Sequence, residues 1–267
     1  MTARWEGAEL RADSVTMRFG GLLAVDDVSL TAEPGKVTAL IGPNGAGKTT
    51  LFNCLTGILH PNGGRVLLGG RDVTRLSPTE RSRLGIARTF QRLEVFGGMT
   101  VFENLQVAVE TRQPRRSWRS LLTLGSGDEP EVVATVNQVI DRLNLHDAAQ
   151  VRAGDLSTGQ LRVVELGRAL CTQPRVIILD EPASGQDAAG TERLQSILAE
   201  LAREGLAILL VEHDVELVMN VSDRIYVMEF GRLIAAGTPS EVSHDARVRD
   251  AYLGTAKETA DADAARV

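Results

Sequence analysis

The feature that most restricts how this chain can fold is a glycine-rich turn between a short apolar run and an amphipathic segment. The run Lys36–Ile41 reads KVTALI and predicts a buried strand. After the turn, Leu51, Phe52 and Leu55 recur at helical spacing. The turn itself fits the pattern G-x-x-x-x-G-K-[ST], with the residues Gly42, Pro43, Asn44, Gly45, Ala46, Gly47, Lys48, Thr49 and Thr50. A strand, this turn and a helix in succession predict an α/β core that binds phosphate at the turn.

The chemistry of phosphate requires this arrangement of residues. Glycines allow consecutive backbone N–H groups to converge on phosphate oxygens without a Cβ in the way. The helix N-terminus adds about half a positive charge at that point. We expect Lys48 to reach the β- and γ-phosphates of a nucleotide and the Thr49 hydroxyl to bind Mg²⁺. The turn alone leaves the class of protein open, since kinases, GTPases, helicases and transport ATPases share it.

A second apolar strand, Val176–Leu179, ends in the two acids Asp180 and Glu181. A carboxylate at the end of a strand beside the phosphate turn can hold Mg²⁺ through water, which is the role we predict for Asp180. The neighbouring Glu181 points differently and is a candidate to polarise an attacking water. The phosphate turn and the two acids together predict hydrolysis of a nucleoside triphosphate.

The remaining sequence predicts one sheet of mostly parallel strands and a second, antiparallel region. Strands and helices alternate after residue 176, which indicates a largely parallel sheet with helices on its faces. Residues 8–31, which turn at Phe19-Gly20-Gly21, and the pair around Gly69-Gly70 predict hairpins. The middle of the chain is mainly helical, with one helix opening at Thr100 and another at 132–143.

Composition narrows the classes of function. The 267 residues include 29 Lys and Arg against 35 Asp and Glu, and this acidic balance argues against a nucleic-acid partner. Cys54 and Cys171 fit no metal spacing and are expected to be buried free thiols in a reducing cytosol. The sequence contains neither a signal peptide at Met1–Leu10 nor an apolar run of about 18–20 residues, so a soluble protein is expected.

A further motif separates this chain from other nucleotide-binding proteins. The turn Leu156-Ser157-Thr158-Gly159-Gln160 opens a helix upstream of Asp180, and here the chain resembles the ATP-binding-cassette (ABC) ATPases. The resemblance runs from about residue 10 to 254 with the motifs in the family's order. It implies a P-loop NTPase core with a mostly parallel sheet, an antiparallel β subdomain and an α-helical signature subdomain. The expected nucleotide-binding domain spans 8–254, the signature subdomain about 92–170, and 255–267 form a disordered tail.

The resemblance also implies roles for individual residues. Phe19 matches the aromatic residue that stacks on adenine, Gln91 the glutamine that senses Mg²⁺, and His213 the switch histidine. Gln91 is thus a candidate for both catalysis and metal binding, and Glu181 is the implied catalytic acid. The residues implied to act on the nucleotide of a second cassette are Ser157, Thr158, Gly159, Gln160 and Asp187.

Two departures from the family pattern stand out. The usual signature is LSGGQ, and Thr158 occupies the position of its first glycine. The loop after Glu181 reads Ser184-Gly185-Gln186-Asp187, whereas Ser-Ala-Leu-Asp is commoner. We expect the first change to affect the approach of a partner's nucleotide and the second to loosen coupling between two sites.

Within the family, the chain is most similar to ATP-binding subunits of branched-chain amino-acid importers. Residues 85–91, 99–105, 212–214 and 251–254 carry this similarity. It implies a second cassette, identical or paralogous, packed head to tail, and transmembrane permeases as partners. This chain would then be cytoplasmic and peripheral, bound to the permeases on the cytoplasmic face of the membrane. An external solute-binding protein takes part indirectly, and related subunits handle urea, amides and hydrophobic acids.

The sequence offers one candidate contact with the permeases and one arginine-rich surface. Residues 91–102, with Phe96 and Met99, are the candidate permease contact, the alternative being simple packing within the helical subdomain. The arginines of 112–119 favour a solvated surface.

Three alternatives remain at this point. The chain could serve an exporter, or a soluble cassette ATPase acting on ribosomes or DNA. A regulatory cassette without turnover is the third, for which Thr158 is the hint.

Overall fold

The computed structural model describes residues 5–89, 94–111 and 130–252. The strands are β1 (Leu10–Phe19), β2 (Leu22–Ala32), β3 (Val37–Ile41), β4 (Gly63–Leu68), β5 (Arg71–Asp72), β6 (Ile86–Arg88), β7 (Val176–Asp180), β8 (Ala207–Val211), β9 (Arg224–Glu229) and β10 (Arg232–Gly237). The helices are α1 (Lys48–Thr56), α2 (Pro78–Arg83), α3 (Val101–Thr111), α4 (Pro130–Leu143), α5 (Thr158–Cys171), α6 (Ala188–Arg203), α7 (Val215–Val221) and α8 (Pro239–His244). Residues 246–252 form a further helical segment.

The central sheet has the strand order β10-β9-β3-β8-β7-β6. Strands β9, β3, β8, β7 and β6 are parallel, and β10 pairs with β9 as an antiparallel edge. The largely parallel sheet predicted from the alternation of strands and helices is therefore confirmed. Because parallel strands end at the same edge, the loops after these five strands lie side by side.

The antiparallel region forms a separate sheet with the order β2-β1-β4-β5. Both predicted hairpins are present, with Phe19 opposite Leu22 around Gly20-Gly21 and Leu68 opposite Arg71 around Gly69-Gly70. Gly69 and Gly70 have φ angles of 55° and 78°, a backbone shape that two adjacent glycines adopt without strain.

The two faces of the central sheet bury different side chains. Along β3, Ala39 and Ile41 pack in the core shared with α3, α4, α5 and α6, whereas Leu40 packs in the core formed with α1 and the antiparallel sheet. This alternation along a fully buried strand explains why 37–41 is apolar apart from Thr38. The phosphate turn therefore leaves a strand that is held on both faces.

Helical caps follow local sequence closely. The Thr100 hydroxyl accepts from the Glu103 N–H at 3.2 Å, which confirms the predicted helix start. Helix α2 begins with Ser77-Pro78-Thr79-Glu80, a capping sequence of the same kind as Thr238-Pro239-Ser240-Glu241 at the start of α8. Its capping box is complete, with Ser77 N–H donating to Glu80 at 2.8 Å.

Helix α2 also anchors the helix behind the phosphate turn. Arg81 is fully buried, and its guanidinium donates to the carbonyls of Cys54 at 2.6 Å and Leu55 at 2.7 Å, at the end of α1. It also donates to the Thr74 carbonyl at 2.8 Å. Since the last carbonyls of a helix lack partners within the helix, Arg81 satisfies them and fixes the position of α1.

Both cysteines are buried and unpaired, as predicted. Burial raises the pKa of the Cys54 thiol to about 11 and that of Cys171 to about 12, which makes both thiols unreactive. In the described part of the chain, no helix combines the length and apolar character needed to cross a membrane. The predicted tail and the arginines of 112–119 fall outside the described residues.

Candidate nucleotide site

The phosphate turn has a backbone that only glycine allows at three positions. Gly42, Gly45 and Gly47 have φ angles of 152°, 80° and 100°. A Cβ on Gly42 would lie 2.1 Å from the Met228 carbonyl oxygen, and one on Gly47 would lie 2.4 Å from the Ala24 carbonyl oxygen. The glycine spacing seen in the sequence therefore reflects both positive φ angles and close backbone packing.

The turn opens onto the N-terminus of α1. The residue at the N-cap is Gly47, so the first N–H groups of α1 receive no side-chain cap from that position. The ammonium of Lys48 donates to the carbonyls of Gly42 at 2.6 Å and Pro43 at 3.0 Å, which places it across the mouth of the turn. Thr49, in the first turn of α1, is exposed. Uncapped N–H groups and a cation at one place form a site for an anion.

Charges around Lys48 are unbalanced. Burial lowers the pKa of Lys48, while the nearby carboxylates of Glu181 and Asp180 act in the opposite direction. Asp180 is 9% exposed at the end of β7, and burial, followed by the charges of Glu181 and Glu212, raises its pKa to about 6. Two carboxylates near one half-buried ammonium, with Glu212 adding its charge at Asp180, leave negative charge for a bound cation to neutralise.

The available donors fit a hard cation such as Mg²⁺. The Asp180 carboxylate and the Thr49 hydroxyl are oxygen donors, which Mg²⁺ prefers, and it commonly completes its shell with water and substrate phosphates. Among the described residues, no cluster of three or more His, Cys, Asp or Glu side chains could hold a metal alone. The arrangement therefore suits an ion that is shared with a bound phosphate.

Glu181 and His213 come together across the ends of β7 and β8. The backbone of Glu181 has φ 47°, and its N–H donates to the Val211 carbonyl at 2.9 Å. Its Oε1 lies 3.5 Å from His213 Nδ1, and the two side chains are 28% and 59% exposed. A carboxylate and an imidazole that are both open to solvent at this edge can contact a water or a phosphate oxygen.

Glu212 organises the pair Glu181 and His213, although no role is predicted for it from the sequence. Glu212 is fully buried, and its carboxylate accepts from the N–H groups of Ala183 at 3.0 Å and His213 at 3.0 Å. It thereby joins the loop after Glu181 to the loop that carries His213. An acid directly after the apolar strand 207–211 was the available signal, because a buried charge there requires partners.

The aromatic residue predicted to stack on adenine lies at the end of β1. Phe19 is 46% exposed, and it continues the inward-facing row of Val15 and Met17 beyond the core. This position leaves much of its ring available to a ligand. Gln91, predicted to act in catalysis and metal binding, lies outside the described residues. Nearby in the chain, the Thr89 hydroxyl accepts a hydrogen bond from the Asp180 N–H at 3.4 Å.

The signature turn caps its own helix. Ser157 is the N-cap of α5, and its hydroxyl accepts from the Gln160 N–H at 3.3 Å. The Gln160 side chain accepts in return from the Ser157 N–H at 3.0 Å. Ser157, Thr158 and Gln160 are exposed and Gly159 is half-buried, so the turn is open to a second molecule.

The two departures from the family pattern lie next to each other in space. A Cβ on Gly185 would meet the Thr158 methyl at 3.4 Å, and Gly185 has φ 77°. That distance is an ordinary van der Waals contact, so the positive φ, rather than a lack of space beside Thr158, favours glycine at 185. In the same loop, Asp187 is the N-cap of α6 and accepts from the Gly190 N–H at 2.8 Å.

The C-terminal helical segment also reaches the phosphate turn. Burial raises the pKa of Tyr252, and a hydrogen bond from the backbone of Gly42 acts in the opposite direction. In the sequence, 251–254 served only as a mark of family similarity. Its contact with the turn depends on the tertiary structure, so periodicity could not reveal it.

Comparisons with known proteins agree with this geometry. The model of the family described as ABC transporter matches residues 25–184, and that of the branched-chain amino acid ATP-binding cassette transporter matches residues 232–258. The high-affinity branched-chain amino acid transport ATP-binding protein LivG of Escherichia coli is 42% identical over 250 residues, which cover 92% of this chain and 98% of LivG. BraF of Pseudomonas aeruginosa, described in the same words, is 41% identical over the same shares.

Solved structures give the same result at the level of the fold. A nucleotide-free ATP-binding cassette from an ABC transporter has a TM-score of 0.80 and 36% identity, covering 92% of this chain and 98% of that one. The ADP conformation of the cassette MJ1267 has a TM-score of 0.82 and 36% identity, with 92% and 99% covered. With its phosphate turn, strand-end acids and matched length, the chain belongs to the ABC transporter family as one of its ATP-hydrolysing cassettes.

Proposed function

We propose that this chain powers the import of branched-chain amino acids or related small solutes through partner permeases. The observation that carries the proposal is the 42% identity to LivG along nearly the full length of both chains. The match at residues 232–258 supports it, because that segment lies outside the general ABC transporter match. The exporter, soluble and regulatory alternatives have no comparable support.

In this proposal, residues of one cassette hold the phosphates and the metal. The backbone N–H groups of 42–47 and Lys48 bind the β- and γ-phosphates, with Pro43, Asn44, Ala46 and Thr50 shaping the turn. Thr49, Asp180 and Gln91 hold Mg²⁺, which when bound neutralises charge on the phosphate oxygens. The Asp180 carboxyl, with a pKa near 6, is ionised at neutral pH and ready for this role.

Glu181 is the proposed general base for the attacking water. Its partly exposed carboxylate lies 3.5 Å from His213, so a water between the phosphate and this pair has an acceptor and an orienting imidazole. Glu212 holds both loops in place through its three backbone hydrogen bonds. It is therefore a positioning residue.

The second half of each site comes from another cassette, identical or paralogous. Ser157, Thr158, Gly159 and Gln160 are open to an approaching molecule, and Asp187 starts a helix in the adjacent loop. We propose that they contact the nucleotide bound by the other chain, so that ATP joins the two cassettes.

Permease contact is proposed at a groove beside Phe96. The groove has a volume of about 1100 Å³ and is bordered by Arg88, Glu94, Phe96 and Arg168. Phe96 is 45% exposed, and the Arg168 guanidinium lies 4.8 Å from its ring centroid. Apolar and charged groups together at an open groove suit a helix end of a membrane protein. This contact would hold the cassette on the cytoplasmic face of the membrane, while the external solute-binding protein selects the solute.

A transport assay tests the proposal. The chain is reconstituted with the permeases encoded beside its gene, the external receptor and radiolabelled leucine, isoleucine or valine. We expect ATP-dependent movement of solute from the receptor side, which Lys48→Ala and Glu181→Gln abolish. Solute movement in the opposite direction, or co-purification with ribosomes instead of permeases, would contradict it.

A complementation assay tests the shared site. In a head-to-tail dimer of identical chains, a Lys48→Ala chain paired with a Ser157→Ala chain retains one intact composite site. ATPase activity is therefore expected to rise when the two inactive variants are mixed. Where the partner is a paralogue, the same pairing is made between the two different chains. If no pairing restores activity, the shared site is ruled out.

A further inference from the structure

The turn between β9 and β10 exposes an aromatic side chain in an unfavourable backbone conformation. Phe230 is 84% exposed, the highest value among the large hydrophobic residues in the described ranges. Its φ is 45°, in the left-handed region that bulky residues seldom adopt. Phe230 and Gly231, with φ angles of 45° and 81°, are the two central residues of the hairpin in which Glu229 pairs with Arg232, and a hairpin turn of this length favours positive φ at both positions. The hairpin therefore fixes the backbone of Phe230 and leaves its ring exposed.

The surroundings of this turn are the phosphate turn and β2. The N–H of Gly231 donates to the Ala46 carbonyl at 3.0 Å, and the Gly231 carbonyl accepts from the Asp26 N–H at 2.8 Å. Next to it, the Arg232 guanidinium donates to the Asp26 carboxylate at 2.6 Å. Phe230 is therefore held beside the phosphate turn by the hydrogen bonds of the two residues that follow it in the chain, Gly231 and Arg232.

The strand order shows which part of a nucleotide lies on this side. Asp180, Glu181 and His213 follow β7 and β8, which lie on one side of β3 and its phosphate turn, whereas β9 lies on the other side. The terminal phosphate must lie near the acids, so the chain of phosphates leads the nucleoside toward β9. Phe19 is on the same side, since β2, its hairpin partner, contacts Gly47 and Gly231 through Ala24.

We propose that Phe230 contacts the adenosine part of ATP bound by its own chain, forming a second aromatic surface beside Phe19. The inference rests on the proposed nucleotide site and adds a base-recognition residue to it. A base that packs against an aromatic ring removes apolar area of both from water, which accounts for an otherwise exposed phenylalanine. Residues 42–50 and Asp180 bind the phosphates and the metal and do not contact the base. The contribution of Phe230 to nucleoside binding can therefore be measured separately from phosphate binding.

The experiment compares two ligands that share phosphates and differ in the nucleoside. Calorimetry with Mg²⁺ measures binding of ATP and of inorganic tripolyphosphate to the full chain, wild type and Phe230→Asn. Asparagine adopts φ near 45° readily, so the turn is preserved. We expect the ATP affinity to fall roughly five-fold or more, as for loss of one base-stacking aromatic, with tripolyphosphate binding unchanged. Phe230→Tyr should bind ATP like the wild type, and Ile58→Ala, an exposed residue beyond the far end of α1, should leave both affinities unchanged.

Several results would overturn the inference. An equal loss of affinity for ATP and for tripolyphosphate would mean that the β9–β10 turn affects binding only through its contact with the phosphate turn. Unchanged ATP affinity would assign Phe230 to a different contact, such as a second cassette, which ATP-dependent dimerisation of the variant would reveal. Failure of the wild type to bind either ligand would instead contradict the proposed nucleotide site itself.

Discussion

The chain contains two glycine-containing turns that each open onto the N-terminus of a helix, the phosphate turn before α1 and the signature turn before α5. At the first, the N-cap is Gly47 and no side chain covers the N–H groups. At the second, Ser157 and Gln160 satisfy the N–H groups of their own turn through a capping box. The first helix end is therefore ready to bind an anion through all of its N–H groups, whereas at the second the capping box already satisfies the N–H groups of Ser157 and Gln160.

The two turns also differ in what holds them. Gly47 depends on close contact with Ala24 and Met228, which are distant in sequence. The signature turn is stabilised by hydrogen bonds between residues three apart. This difference indicates that the phosphate turn is built by the tertiary structure and retains its shape without a ligand, while the signature turn is local and adaptable.

The strongest test replaces Glu181, the proposed catalytic acid near the phosphate turn. Glu181→Gln removes the proposed base and should lower the turnover number about 10²–10⁴-fold while ATP affinity remains. The measurement is phosphate release together with nucleotide binding by calorimetry. Normal hydrolysis by this variant would show that the chemistry does not depend on the Glu181 carboxylate.

Gly47 in the phosphate turn and Gly159 in the signature turn provide a matched pair of glycine-to-alanine substitutions. Gly47→Ala forces a Cβ to 2.4 Å from a backbone oxygen at φ 100°, so we expect nucleotide binding to be lost and unfolding free energy to fall by about 1–3 kcal/mol. Gly159→Ala places a Cβ 3.9 Å from Gln186 inside a helix and should stabilise by about 0.5–1 kcal/mol. Thermal and urea unfolding measure both. Equal effects at the two sites would remove the distinction between the turns.

The charge at the phosphate side makes stability depend on pH. Folding raises the pKa of Asp180 from 3.8 to about 6, so the folded chain binds this proton more tightly than the unfolded chain. The ionised carboxylate destabilises the protein above pH 6, and its effect diminishes as the pH falls toward 4. Asp180→Asn should raise the unfolding free energy at pH 7.5 by about 2–3 kcal/mol without nucleotide, with no gain at pH 4.

Urea unfolding at the two pH values measures this difference. Mg²⁺-dependent ATP binding should be lost in Asp180→Asn and should weaken in the wild type as the pH falls below 6. A stability gain in the variant that is the same at both pH values would exclude ionisation as its cause.

The smallest effect is expected at the signature turn. Ser157→Ala removes an N-cap and should lower the unfolding free energy by about 1 kcal/mol, with ATP binding by the isolated chain unchanged. The same variant should abolish the second half of a composite site, so hydrolysis by the assembled transporter should fall. A loss of ATP binding in the isolated chain would show that the two turns act within one molecule.

Much of this site could be predicted because its signals are local. The phosphate turn, the acids after β7 and the capped start at Thr100 each depend on residues that are close in sequence. The structure brings Asp180, Glu181 and His213 to one edge because parallel strands β7 and β8 are neighbours. The capping box of α2 is equally local, because Ser77 and Glu80 lie three residues apart.

Other contributions could not be predicted because the partners are distant. Arg81 binds carbonyls 26 and 27 residues away, and Glu212 joins a loop 29 residues away. Phe230 sits beside Ala46 only because β9 and β3 are paired. A charged or aromatic residue in a sequence does not identify such a neighbour.

The chemical groups and their local geometry follow directly from the amino-acid sequence: glycines stand where the backbone must turn, polar side chains cap helices, and apolar runs form buried strands. The partners of the buried charges Arg81 and Glu212 follow from the tertiary structure alone. The same holds for the raised pKa of Asp180 and for the position of the exposed Phe230 beside the phosphate turn. The reason is physical. Local preferences act through bonds and neighbouring residues, whereas desolvation and close packing depend on every element that surrounds a group.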